Sequence, residues 1–397
     1  MIPGVMSSRS PRDMTPGVRD LVLVGGGHAH IEVLRRLGRR PAPSARIALI
    51  SRDRYTLYSG MLPGLIAGHY RFAEAHVDLE VVAAFAGARL MLDEVVALDP
   101  VQRCVRCAGG RTVSYDLLSI DIGSTPGLAV PGAAAHTVPV KPISNVLDRW
   151  NALSERVAGA AATVRVGVVG GGAGGVELML AAQHRLGIAR QATGGPDRRV
   201  ECHLFCPAIL PAYRERTRRI VEAILRRKGI VAHTGVRVER VSAAGLHTSD
   251  GEVHAMDEVL WVTAAAAAPW VGAAGLAVDG GGFVRVGDTL ASVSHAGVFA
   301  AGDIASVDGH ALPRSGVVAV RQGPVLAHNL HAALEGTAPR RYRPQRRYLS
   351  LISTGDRYAV GERGRLVIRG RWVWRLKDWI DRRFVRRYNG LVSEPRS

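Results

Sequence analysis

Leu21-Val22-Leu23-Val24-Gly25-Gly26-Gly27-His28-Ala29-His30 decides how the rest of the chain is read. Four apolar residues suit a buried parallel strand, three glycines break it, and the residues that follow continue at helical spacing. That is the pattern of strand, phosphate loop and helix start in a dinucleotide-binding fold. Gly25 permits the tight turn, and Gly26 and Gly27 let backbone amides approach a diphosphate at the positive end of the helix. There are two departures. His30 takes the place of the third glycine, which allows close helix–strand packing, and Ser51 stands about 20 residues on, where an acidic ribose ligand is usual. A second copy, Val166-Gly167-Val168-Val169-Gly170-Gly171-Gly172-Ala173-Gly174-Gly175-Val176-Glu177, meets the glycine spacing in full through Gly170, Gly172 and Gly175.

Two such units need more chain than one domain, and 397 residues supply it. A hydrophobic content of 47% and a mean hydropathy of +0.08 provide material for buried cores. The formal charge of +18 would ordinarily point to nucleic acid or an anionic membrane. Only Lys141, Lys228 and Lys377 are lysines, however, and no nucleic-acid motif or basic-aromatic interleaving precedes the tail. No nucleic-acid partner is therefore expected. No run reaches the roughly 20 apolar residues of a membrane span. The first 19 residues, with Pro3, Pro11 and Pro16, read as a leader without order, and a cytoplasmic setting with reduced cysteines follows.

Downstream of the first loop, Ile31, Leu34 and Leu37 continue a helix until Pro41 and Pro43, and Arg46 to Ile50 is the second strand. His28 and His30 lie two apart and so face apart on a helix, which favours a turn-lining and a packing role over metal ligation. Ser51 to Leu65 mixes aromatics, glycine and proline, as suits either a shaped cofactor loop or ordinary surface. Leu90 to Val96, Cys104 to Cys107 and Leu117 to Ile122 read as strands. Cys104 and Cys107 form C-x-x-C, but in a strand residues three apart point to opposite faces, which argues against a redox pair. Pro126 to Pro142 marks a domain boundary. The second helix runs through Val176 and Leu186 to a stop at Gly187, followed by a polar excursion over 190–199. Cys206 ends the next strand where an acid would select the unphosphorylated ribose, and Arg214, Arg216, Arg218 and Arg219 are close in sequence, so NADH or NADPH remains open. Gly297 to Ala305 reads as a strand ending in Gly302-Asp303, able to set a carboxylate on a polyol.

In the tail, Trp372, Leu376, Trp379, Ile380 and Phe384 share one helical face, with Arg371, Arg375, Arg382, Arg383, Arg386 and Arg387 over the remainder. Two readings stand: peripheral contact with the inner face of an anionic membrane, or burial against the chain's own core or the second copy in a homodimer.

Taken together, the two loops, Tyr115 to Gly123, Phe299 to Ala305 and Leu312 to Asn329 resemble type II NADH dehydrogenases of the two-dinucleotide-domain flavoproteins. His28-Ala29-His30, Tyr58 to Gly64 and Arg371 to Asp378 resemble the subfamily associated with selenide, water dikinase. The resemblance implies an α/β, glutathione-reductase-like fold with two Rossmann-like domains. These are an FAD domain (20–140 and 275–335) with an inserted NAD(P) domain (141–274), plus a C-terminal region (336–397) with a basic amphipathic helix. It places the FAD diphosphate on Gly25, Gly26 and Gly27, the ribitol at Asp303 and the flavin ring near Gln322. Gly170, Gly172 and Gly175 take the NAD(P)H diphosphate, with Glu177 near the nicotinamide. His28, Ser51, Arg52, Gly123 and Gly302 complete the cofactor set, and Glu177 and Gln322 are the candidate catalytic residues. The implied activity is hydride transfer from NAD(P)H to FAD and onward to a quinone or other small acceptor. The cysteine pair of the disulfide-using branches is missing from the first helix. The alternative is a soluble flavin reductase, or a flavin-binding partner module, in selenium metabolism.

Overall fold

The computed structural model describes residues 17–141, 143–159, 162–193, 199–263, 265–345 and 347–393. The expected leader thus falls outside the described residues as far as position 16. Arg19–Val24 is the middle strand of a five-stranded parallel sheet ordered Val298–Ala300, Leu117–Ile120, Arg19–Val24, Ala45–Ser51, Arg89–Leu92. Helix α1 (His28–Arg39) leaves the glycine loop and buries Ala29, Ile31, Leu34 and Leu37 on that sheet. The strand expected over Leu90 to Val96 divides at Asp93-Glu94. Its second part, Val95–Asp99, opens an antiparallel sheet with Cys104–Cys107 and Thr112–Ser114.

The second glycine loop organises a second parallel sheet, ordered Val138–Pro139, Glu258–Trp261, Val164–Val169, Val200–Cys206, Ile230–Thr234. Helix α2 (Ala173–Thr193) follows that loop and does not stop at Gly187. A helical glycine costs about 1 kcal/mol against alanine. Leu178, Leu180 and Leu186, all buried, outweigh that, since each stabilises by about 1.5–3 kcal/mol. Of the polar excursion, 194–198 lie outside the described residues. Thr125–Pro126 pairs antiparallel with Ala265–Ala266, so the chain leaves and re-enters the first unit side by side. Val138–Pro139 already belongs to the second sheet, ahead of position 141, and Pro269–Ala273 packs against the Val95–Asp99 strand, ahead of 275.

Helix α3 (Gly316–Glu335) lies along α1, and the approach needs Gly323, where a Cβ would stand 2.9 Å from the Glu32 Cβ. The C-terminal region adds an antiparallel sheet, Ser350–Ser353, Ala359–Arg363 and Leu366–Gly370, and helix α4 (Arg371–Asn389). The face that α4 buries is not the one that packing of its apolar stripe against the core would require. Val373, Lys377, Asp381, Val385 and Tyr388 are buried, whereas Trp372 and Trp379 are each 56% exposed. Polar partners outside the helix set its rotation: Tyr388 donates to Glu32 at 3.0 Å, Asn389 donates to the His76 carbonyl at 2.8 Å, and Lys377 donates to the Gly60 carbonyl at 2.5 Å. Among the described residues no helix is long and apolar enough to cross a membrane.

Candidate functional site

A cleft of about 430 Å³ runs over the carboxyl ends of the first sheet. Gly25, Gly26, Gly27, His28, Ser51, Arg52, Gly123 and Asp303 all line it, together with Asp53, Asp121, Ser124 and Lys141. Gly25 has φ +94°, and a Cβ there would lie 2.4 Å from the Asp121 carbonyl oxygen. A Cβ on Gly27 would lie 2.3 Å from the Asp121 carboxyl carbon, so only bare backbone fits. Bare backbone at these two positions is what lets Asp121 pack against the turn.

His30 fills the third-glycine place by bonding. Its Nδ1 donates to the Gly25 carbonyl at 2.7 Å, which leaves Nε2 to accept from the Ser119 hydroxyl at 2.8 Å. Burial takes the ring down to about 4, so it stays neutral. Burial lowers His28 to about 4 as well; its Nε2 accepts from the Ser59 amide at 3.4 Å, and its ring meets Tyr58 edge-on at 5.3 Å. Among the described residues no three His, Cys, Asp or Glu are placed to share a metal ion.

Ser51 donates to the Asp53 carbonyl at 2.8 Å, and Arg52 lies between Asp53 and Glu94 at 3.7 and 3.6 Å. Asp303 receives the Lys141 ammonium and the Ser124 hydroxyl, both at 3.1 Å. Gln322 turns inward, away from the cleft lining. It is 1% exposed and accepts the Gly302 amide at 2.7 Å, so it holds the turn that presents Asp303.

At the second loop, Gly170 has φ +138°, and a Cβ on Gly175 would sit 2.0 Å from the Gly170 carbonyl oxygen. Gly172 faces open space. Cys206 is buried beside Gly171, and burial pushes its thiol up to about 11. Arg214 points to the tail, donating to the Gly364 carbonyl at 2.6 Å. Cys104 and Cys107 are free, and burial raises both thiols.

Three parts of the chain converge on Glu177. Its Oε1 accepts the Ser353 amide at 2.8 Å, and burial lifts its carboxyl to about 7 against the pull of Lys377. Lys377 is 8% exposed and donates to the Gly60 carbonyl at 2.5 Å and to Asp381 at 2.6 Å. Burial works against its charge, but Asp381 and Glu177 hold the ammonium protonated. Gly60 adjoins Ser59 at the cleft wall, where Tyr58 stacks on Phe384 at 4.2 Å. As site residues the sequence offered Glu177 but neither Lys377 nor Asp381, whose i, i+4 spacing was the available signal. Asp121 was also missed, although an acid closing the apolar run Leu117 to Ile120 is a signal in itself.

Two glycine-loop units, one inserted into the other, define a class, the two-dinucleotide-domain flavoproteins. This chain belongs to the pyridine nucleotide-disulphide oxidoreductase family, whose model matches residues 19–323. A demethylphylloquinone reductase of Synechocystis is 25% identical over 86% of this chain and 87% of its own length. An NADH dehydrogenase-like protein of Mycobacterium tuberculosis is 30% identical over 58% of each. In fold, the chain superposes on NDH2 of Plasmodium falciparum in complex with NADH (TM-score 0.77, 13% identity, 94% of this chain and 99% of that one). It also superposes on the sulfide:quinone oxidoreductase of Aquifex aeolicus (TM-score 0.76, 18% identity, 94% and 92%). The chain is an NAD(P)H oxidoreductase that binds FAD and NAD(P)H. The association with selenide, water dikinase stays an expectation of the sequence.

Proposed function

We propose that the chain passes electrons from NAD(P)H through FAD to a quinone, with no redox disulfide. The amides of Gly26, Gly27 and His28 would hold the FAD diphosphate, with Gly25, whose own amide goes to the Ile50 carbonyl, making the turn; Ser51 and Arg52 would take the adenosine end, and Gly123, Gly302 and Asp303 the ribityl end. Gly170, Gly172 and Gly175 hold the diphosphate of NAD(P)H. Bound flavin supplies hydride acceptance on one side and electron delivery on the other. Gln322 is a positioning residue here, acting through the Gly302 amide.

The observation that carries this reading is the burial near one another of Glu177 from α2, held by the Ser353 amide, and Lys377 from α4, held by the Gly60 carbonyl and Asp381, each acting electrostatically on the other. Quinone reduction consumes two electrons and two protons. A carboxyl that titrates near 7 and a fixed ammonium give that site a proton carrier and a counter-charge for a developing oxyanion. The name of the Synechocystis relative supports a quinone acceptor. The exposed Trp372 and Trp379, flanked by the exposed Arg371, Arg375 and Arg383, suit the surface of an anionic membrane in which such an acceptor dissolves.

An anaerobic visible spectrum of the purified chain, mixed with NADH or NADPH and then with menadione, tests the reading. One nucleotide bleaches the flavin and menadione restores it. Lys377→Met keeps the bleaching and slows restoration at least about tenfold, the size of one lost charged hydrogen bond. A flavin that stays oxidised with both nucleotides overturns the proposal. Flotation with anionic vesicles tests the tail: Trp372→Ser with Trp379→Ser abolishes it, and binding that survives removes the membrane part.

A further inference from the structure

The start of α1 already holds a carboxyl group. Asp121, at the end of the neighbouring strand, is 2% exposed, and its Oδ2 accepts the amides of Ala29 at 2.8 Å and His30 at 3.0 Å. The helix supplies no cap of its own, since Gly27 stands at the N-cap and no acid lies in the first turn. The carboxylate has a built place. A Cβ on Gly302 would lie 2.3 Å from Asp121 Oδ1, as one on Gly27 would crowd its carboxyl carbon. Asp121 nonetheless lines the flavin cleft.

A helix N-terminus presents about half a positive charge. An FAD diphosphate brings two negative charges to the helix end where Asp121 sits. The charged group that acts on Asp121 is Asp303, beyond Gly302, whose carboxylate takes Lys141 and whose backbone carbonyl takes Arg314; the titratable groups on this end of α1 are His28 and His30. Both histidines titrate at about 4 and are neutral above pH 6, and the Lys141 ammonium is bonded to the Asp303 carboxylate. On α1 and its loop nothing offsets a third negative charge.

We propose that Asp121 couples flavin binding to proton uptake: ionised while it caps α1 in the free protein, it takes a proton from solvent when the diphosphate arrives. This rests on the flavin reading above and adds a regulation of that site. The free carboxyl, lifted by burial to about 7, needs only a small further push. FAD then binds more tightly as pH falls, and its dissociation constant rises about tenfold per pH unit once pH exceeds the free carboxyl's value, the slope of one linked proton.

Calorimetry of FAD binding to the flavin-depleted full chain, at pH 8 in two buffers of different ionisation enthalpy, counts the protons. The expected result is uptake of close to one proton at pH 8, little at pH 5.5, and none at either pH for Asp121→Asn. No uptake at pH 8, or equal uptake in the variant, overturns the proposal. A carboxylate that only caps the helix would lower the stability of Asp121→Asn and leave the proton count at zero in both proteins. Failure of FAD to bind at any pH would instead strike the flavin reading itself. Should Asp121→Asn not fold, the two-buffer count on the native chain still decides.

Discussion

The two glycine loops solve one packing problem in opposite ways. At the second, Gly175 lets α2 approach until a Cβ would be 2.0 Å from the Gly170 carbonyl, so the loop closes by omission. At the first, His30 closes the loop by addition: its ring ties the Gly25 carbonyl to Ser119 while Asp121 occupies the helix end. A loop built by omission tolerates no added atom, whereas one built by addition loses stability when an atom is taken away.

The largest effect should come from breaking the omitted-atom side. Gly175→Val pushes α2, and Glu177 with it, off its seat. The expected loss in flavin reduction by NAD(P)H is on the order of 100-fold, the cost of about 1 Å of misplacement, with flavin content retained. Stopped-flow bleaching reads it. His30→Gly restores the standard spacing of the first loop, yet it should weaken the protein. Two hydrogen bonds go and a ring-sized void opens, for a cost of about 2 kcal/mol or more by urea unfolding. If His30→Gly proved neutral, the ring would be a bystander and the contrast between the loops would fall.

A smaller effect sharpens the comparison at Glu177. Burial raises its carboxyl from 4.5 to about 7 in the folded chain, so the folded state binds the proton more tightly than the unfolded one. That contribution is full below pH 4.5 and is lost as pH rises through 7. Glu177→Gln keeps the acceptor for the Ser353 amide and cannot ionise. Its melting temperature relative to the native chain should therefore climb between pH 5 and 7 and level off above. A constant difference across that range would mean Glu177 is not neutral when folded.

Most of the fold was legible because it rests on local periodicity. The apolar run Leu21 to Val24, its copy Val166 to Val169, and the helices behind them follow from residues close in sequence. The strand over Cys104–Cys107 was legible for the same reason, since it too follows from residues close in sequence. Gly187 misled because a stop signal is a local preference worth about 1 kcal/mol, and burial of α2 among other elements overrode it. The tail left two readings open, and its burial bears on one of them, packing of the apolar stripe against the chain's own core. Its apolar stripe was real, but Lys377 and Asp381 are the residues buried, and Trp372 and Trp379 face out.

The sequence by itself determined the strand, loop and helix order, the two glycine cradles and the cleft-lining set from Gly25 to Asp303, because each depends on backbone freedom and side-chain pattern within a few residues. Only the tertiary structure decided that Asp121 caps a helix 92 positions away, that Gln322 serves Gly302, and that Lys377 reaches Gly60. Those pairings bury polar and charged groups. Whether a charged side chain can be buried depends on the partner that the whole fold brings to it, and no short stretch of sequence contains that partner.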